Sequence, residues 1–186
     1  YLLAGGVVGR NPFTLLGRML PAYATALGTS SSAATIPVTL RSTKNNGVSN
    51  AVADFVIPLC ATIHLSGSTM KITIFSMAIM FMYGQDLAVG ALIPFILMLG
   101  IMMVAAPGVP GGAIMAAVGI LQSMLGFDET MVAMMIATYI AIDSFGTACN
   151  VTGDGAIALV VDKLAKGKVT GIGTEDGYEK WHIYAD

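Results

Sequence analysis

DSFGTACNVTGD, from Asp143 to Asp154, lies within a stretch that is otherwise strongly apolar. Asp143, Thr147, Asn150 and Asp154 recur at offsets of four, seven and eleven residues, so a helix brings all four to one face. Thr130 to Leu164 reads as one long helix carrying that face. Carboxylates inside an apolar helix are expensive unless something pairs with them, and an ammonium or a metal cation is the natural partner. The competing reading is a polar face packed against neighbouring helices, or helix ends set at the headgroups.

The surrounding composition makes the bilayer the expected solvent. Of 186 residues, 55% are hydrophobic and 11% charged, where a soluble domain carries roughly a quarter as charged residues. Between Phe55 and Phe127 only Lys71 and Asp86 are charged, and Leu87 to Ala106 is an uncharged run long enough to span a hydrocarbon core. A net charge of −2 with no basic cluster offers nothing to nucleic acid. Residues 166–186 are polar and read as a solvated tail. Tyr1 leads straight into an apolar run with no charged segment and cleavage site before it, so no signal peptide is expected and the chain reads as a piece of a longer one. Cys60 and Cys149 read as two buried thiols, and the thirteen methionines as adaptable packing. There is no Ser-His-Asp order, zinc spacing or phosphate-binding loop, so an enzyme reading has no chemistry to stand on.

The apolar segments are interrupted in a regular way. Asn11 to Thr29 is a helix candidate with Asn11 as cap and Pro12 at the first helical position. Ser30 to Ser32 then forms a small polar tip before AATIPVTLRS. Two arms too short to span suggest a re-entrant hairpin. Val48 to Ile63 meets HLSGS at His64 to Ser68 before the apolar pattern resumes, which predicts a broken helix lining a cavity or covered by protein. Leu87 to Ala106 leads into PGVPGG, Pro107 to Gly112, where prolines and glycines end the helix, and the chain then returns through an apolar arm. Hairpin, broken helix, hairpin and polar helix make two similar pairs, the pattern of transporters with inverted repeats.

The tips supply the other half of a candidate site. A helix beginning just after the serines turns its N–H groups and partial positive charge toward the tip, which suits a substrate carboxylate. The carbonyls near Met103 to Ala106 end a half-helix and could hold a small cation. His64, alone in an apolar segment, is more often a hydrogen-bonded structural residue than a metal ligand or proton carrier.

SSSAATIPVTL from Ser30, IPLCATIHLSGS from Ile57, PGVPGGAIM from Pro107 and NVTGD from Asn150 resemble, in order and spacing, the dicarboxylate/amino acid:cation symporters, which include the glutamate transporters. The resemblance covers nearly all of residues 11–165. It implies an all-α membrane protein, the C-terminal core of the glutamate-transporter-like fold. That core would comprise the end of a preceding membrane helix (1–10), a first re-entrant hairpin (11–43), a broken transmembrane helix (44–86), a second re-entrant hairpin acting as gate (87–127), a polar transmembrane helix (128–165) and the tail (166–186). It further implies an elevator-like motion of the core, a homotrimer formed through an N-terminal part absent here, and a multi-pass place in a cell membrane, taken as a bacterial inner membrane.

Site roles carry over by position. Asp143 matches the aspartate that binds the substrate amino group, and Thr147 and Asn150 match substrate-facing positions. Asn150 also lends a carbonyl to sodium, and Asp154 matches a sodium carboxylate. Ser31 and Val109 match the tip groups that hold the substrate carboxylate, with Ser68 and Gly146 also at the substrate. Thr62 and the carbonyls of Met103, Val104 and Ala106 match another sodium site. Two departures matter. The family's NMDGT reads HLSGS here, so an acidic sodium ligand has become Ser66 and His64 enters as a candidate proton or polar group. The arginine that binds an acidic side chain would sit at Gly146, with Thr29 as its other location, and neither is charged. A second substrate carboxylate would then be left unpaired.

The expectation is therefore a secondary symporter, not an enzyme, that couples Na+ (or H+) entry to uptake of a small, neutral amino acid, with no cofactor beyond the coupling ion. An acidic amino acid or dicarboxylate is the alternative substrate, and would need a positive group from elsewhere. A passive channel and a non-transporting membrane scaffold are the alternatives of another class.

Overall fold

The computed structural model describes residues 1–86 and 88–165, which form ten helices and no strand among the described residues. Leu87 and the expected tail at 166–186 lie outside the described residues. Helix α1 (Leu2–Val8) ends at Gly9. Helix α2 (Pro12–Gly17) starts as expected, with the Asn11 side chain accepting from the Phe13 and Thr14 amides and Pro12 in the first turn. The single helix expected over 11–29 is instead two. Pro21 enters in the first turn of α3 (Leu20–Thr29) and has no N–H to continue the ladder from Gly17, so the chain breaks at Arg18–Met19.

The pair α3 and α4 (Ser32–Asn45) pack on each other around the serine tip. Ser30 caps α3 at φ 49°, the one non-glycine in the left-handed region among the described residues. Ser31 then caps α4, its Oγ accepting from Ala34 N at 3.2 Å. Helices α5 (Asn50–Ile63) and α6 (Ser66–Met82) are separated by an extended break at His64–Leu65, as the HLSGS stretch predicts. Together they form one stretch long and apolar enough to cross a membrane.

Helices α7 (Val89–Val104) and α8 (Gly112–Leu125) pack against each other around PGVPGG. Gly111 sits at φ 72° and so permits the reversal, while a Cβ on Gly108 would run into the Ala61 carbonyl at the end of α5. The long helix expected over 128–165 is also two pieces, α9 (Glu129–Ala141) and α10 (Asp143–Ala165), bent by 62° at Ile142.

Helix α10 is the hub, packed against α1, α3, α4, α5 and α6. Its contact with α3 is made by small residues, Ala22 and Ala26 facing Ala148 and Val151, which let two backbones approach closely where lipid removes any hydrophobic drive. Helix α6 joins this body to a second cluster, in which Ile72, Phe95, Leu99, Ile114, Leu121 and Tyr139 are buried together. The outer faces are apolar: Phe55, Phe81, Leu97, Ile101 and Phe145 are exposed. Such a surface fits lipid or another protein surface better than water. One group of charges ties the loops around α5 together: Lys44 pairs with Asp54 at 2.6 Å, Arg10 bonds the Asn46 carbonyl and Asp162 holds the Ser49 hydroxyl and amide. Cys60 is buried, but Cys149 is exposed, in an open apolar groove beside Gly67 and Met70 of α6.

Where α6 crosses α10, a Cβ on Gly67 would stand 2.6 Å from the Gly146 carbonyl and 2.7 Å from Cys149 Cβ, whereas Gly100 has open space. Gly67→Ala is expected to cost about 1–3 kcal/mol through overpacking, and Gly100→Ala to be neutral or stabilising. Thermal unfolding of the detergent-purified protein checks this, and equal midpoints for the two variants would refute the close crossing.

Candidate functional site

Two helix breaks and two tips converge on α10. The four polar residues picked out by their spacing are all buried along it: Asp143, Thr147, Asn150 and Asp154. Thr147 Oγ1 bonds back to the Asp143 carbonyl at 3.1 Å. Asn150 bridges to the start of α6, its Oδ1 accepting from Gly67 N at 2.8 Å and its Nδ2 donating to Ser68 Oγ at 3.2 Å. The broken helix and the polar face are thereby locked to each other by side-chain amide chemistry.

Asp143 is the most heavily engaged carboxylate. Its Oδ2 accepts from Gly111 N at 2.8 Å, which ties it to the second tip. Its Oδ1 accepts from Lys71 Nζ at 2.9 Å, with both side chains buried. Lys71 rises from α6 onto the face of the Tyr139 ring, 3.5 Å from its centroid, and reaches the carbonyls of Tyr139 and Ile142 at 3.4 Å. Those carbonyls end α9, where the helix dipole favours a cation. The bend at Ile142 thus delivers both an acid and the carbonyl cradle for its partner.

The two tips close on each other above this face. Gly108 O accepts from Ser31 Oγ at 3.0 Å and from Ala33 N at 3.2 Å. Val109 is half exposed beside them. Between tips and helix lies a narrow cleft of about 10 Å³, bordered by Ser32, Ser68, Val109, Asp143, Thr147 and Asn150. Of the expected substrate residues two do not border the cleft: Ser31, which is taken up by the tip contact, and Gly146. Gly146 lies behind Asp143, where a Cβ would meet Lys71 Nζ at 3.2 Å.

Further along α10, Asp154 Oδ1 lies 2.7 Å from His64 Nδ1, the ring coming from the break between α5 and α6. His64 is thus hydrogen-bonded, as the commoner reading of a lone histidine has it. The residues assigned to a further sodium site are dispersed in exposure: Met103 and Ala106 are buried, Val104 and Thr62 exposed, and Thr62 Oγ1 turns back on Leu59 O at 2.8 Å. Ser66 is exposed at the first turn of α6.

Sequence reasoning missed Lys71. It stood out as one of two charges in a long apolar stretch, which was signal enough to mark it, but its partner lies 72 residues away. With Lys71 in place, the expectation of a neutral substrate loses its premise, because that expectation rested on the absence of a positive group at the site.

The family description "Sodium:dicarboxylate symporter family" matches residues 1–164. The chain is 32% identical over 161 residues to excitatory amino acid transporter 1 of Rattus norvegicus, covering 86% of this chain and 30% of that protein. It is 35% identical over 161 residues to excitatory amino acid transporter 3 of Homo sapiens, covering 86% and 30%. Excitatory amino acid transporter 4 of Mus musculus is 31% identical over 175 residues, covering 89% and 31%. The chain therefore spans about a third of the length of the curated relatives it matches.

The Lys71–Asp143 geometry makes a double-mutant cycle informative. Removing either charge strands the other inside the protein, so Lys71→Met and Asp143→Asn are each expected to cost about 3–5 kcal/mol. The double variant is expected to lose well under their sum. Unfolding measured in detergent checks this, and strictly additive losses would show that the pair is not coupled.

Proposed function

This chain belongs to the sodium:dicarboxylate symporter family, and from that premise we propose that the whole protein is a membrane symporter that uses Na+ entry to take up an acidic amino acid. The observation carrying this reading is the buried Asp143 with a cation beside it, set under two closed tips. Asp143 suits a substrate ammonium. Ser31 and the start of α4 suit the substrate's main carboxylate. A second carboxylate finds a positive partner at Lys71. A plain dicarboxylate brings no ammonium for Asp143, which favours an amino acid within the family's range.

In this reading α3–α4 and α7–α8 are the two re-entrant hairpins, α5–α6 the broken transmembrane helix and α9–α10 the polar, bent one. The tip around Val109 is the gate. The core moves across the membrane in a multi-pass protein that forms trimers through a part outside this chain. Coupling is a population shift: a cation that binds more tightly when the tips are closed favours the substrate-bound, closed form.

Uptake of radiolabelled L-aspartate into liposomes holding the full-length protein is expected to require an inward Na+ gradient and to be lost in Asp143→Ala. A proton gradient without Na+ is the control for H+ coupling. Uptake indifferent to any cation gradient would point to a passive channel, and an Asp143→Ala protein that still transports would defeat the site.

The His64 ring holds one of the two oxygens that Asp154 could offer a sodium ion. Asn150 and Asp154 with neighbouring carbonyls remain a sensible donor set for Na+ once the ring withdraws. Removing the ring leaves the carboxylate without that partner. His64→Ala is therefore expected to lower the Na+ concentration for half-maximal uptake roughly tenfold, the scale of a lost hydrogen bond to a charged group. An unchanged Na+ dependence would show that this carboxylate takes no sodium.

A further inference from the structure

We propose that Lys71 is the specificity-determining residue of the substrate site: its ammonium, delivered from α6 into the space left by Gly146, binds the second carboxylate of an acidic amino acid. This rests on the symport reading above and names the group within it that chooses the substrate.

The spatial argument is direct. A Cβ at Gly146 would stand 3.2 Å from Lys71 Nζ and 3.3 Å from its Cε. A side chain at 146 and the Lys71 ammonium therefore compete for one volume. The positive group that the resemblance places at 146 and the lysine that rises from α6 are two ways of bringing a charge to one spot. Glycine is what lets the second way operate. The spot is also built to hold a cation, since the Tyr139 ring and the Tyr139 and Ile142 carbonyls surround it.

The charge argument decides among substrates. In the structure Lys71 and Asp143 pair with each other, and Asp143 also holds the second tip through Gly111 N. Lys71 does not itself border the cleft; its ion-pair partner Asp143 does, while Lys71 lines a neighbouring groove with Gly67 and Gly146. Lifting the tip releases Asp143 Oδ2, and a ligand that reaches the pair must then satisfy both partners. A neutral amino acid offers its ammonium to Asp143 and strands a buried lysine. A dicarboxylate without an amino group offers a carboxylate to Lys71 and strands a buried aspartate. An acidic amino acid exchanges one internal ion pair for two pairs with itself and strands neither. Rejection comes from the unpaired charge left behind, so selectivity is built by penalty as well as attraction.

The test is ligand-induced thermal stabilisation of the full-length, detergent-purified protein with L-aspartate and with L-alanine, in saturating Na+. Wild type is expected to prefer aspartate. Lys71→Gln is expected to weaken aspartate binding at least tenfold and to reduce the aspartate-to-alanine preference by at least that factor. Lys71→Gln with Gly146→Arg, which returns a charge to the same space, is expected to restore the preference. A Lys71→Gln protein with wild-type preference overturns the inference. Should that single variant not fold, the double variant carries the test: preference for aspartate supports the inference and preference for alanine overturns it. Wild type stabilised by neither ligand sinks the symport reading instead, and wild type that prefers alanine sinks the role of Lys71 while leaving symport standing.

Discussion

The arrangement turns on a carboxylate that cannot be left alone. Asp143 is buried at the start of α10, in a chain whose outer faces are apolar. At such a place a charge must be paired, and the structure pairs it twice, with an ammonium on one oxygen and a backbone N–H on the other. Those two partners come from different elements, α6 and the tip before α8. One acid therefore fastens the broken helix, the bent helix and the second tip together. A change at Asp143 is felt at once by the tip that covers the cleft.

Helix breaks are the means by which backbone enters the site. A continuous helix hides its amides and carbonyls inside its own ladder, while a broken one leaves end groups for other partners. The break at His64–Leu65 turns the first amides of α6 toward Asn150, and the bend at Ile142 turns the last carbonyls of α9 toward Lys71. The serine tip and PGVPGG meet through the Gly108 carbonyl. Each interruption costs hydrogen bonds within a helix, and at the two breaks and two tips of the site freed backbone groups find partners in other elements.

Much of this was legible in the sequence where the signal is local. The Asn11–Pro12 helix start, the serine and PGVPGG tips, the break at HLSGS and the four-residue polar face of α10 all follow from residue chemistry at short range. The break at Arg18–Met19 had its signal in Pro21, which the run of apolar residues around it outweighed. The bend at Ile142 carries no proline or glycine to announce it. It arises where α10 must leave the second cluster and cross α3, a demand of tertiary packing. Lys71 was visible as a misplaced charge, but which acid it meets depends on how α6 crosses α10, and no spacing rule spans 72 residues. The exposure of Cys149 likewise depends on the open groove left where α6 crosses α10.

The two acids of α10 share a deeper regularity. Each is met by a basic side chain from the broken helix: Lys71 of α6 at Asp143 and His64 of the break at Asp154. The polar face is thus partnered from within the chain before any ligand arrives. Binding then becomes exchange, in which an incoming charge must replace a partner that already sits at hydrogen-bonding distance. Net affinity is the difference between two well-paired states and not the full attraction of an ion for a bare carboxylate. A difference of that kind is modest in size and sensitive to what each ligand leaves unpaired. Under the symport proposed here, that suits a protein that must release its cargo as readily as it captures it, and it makes the internal partners, more than the acids themselves, the place where the proposed selectivity is set.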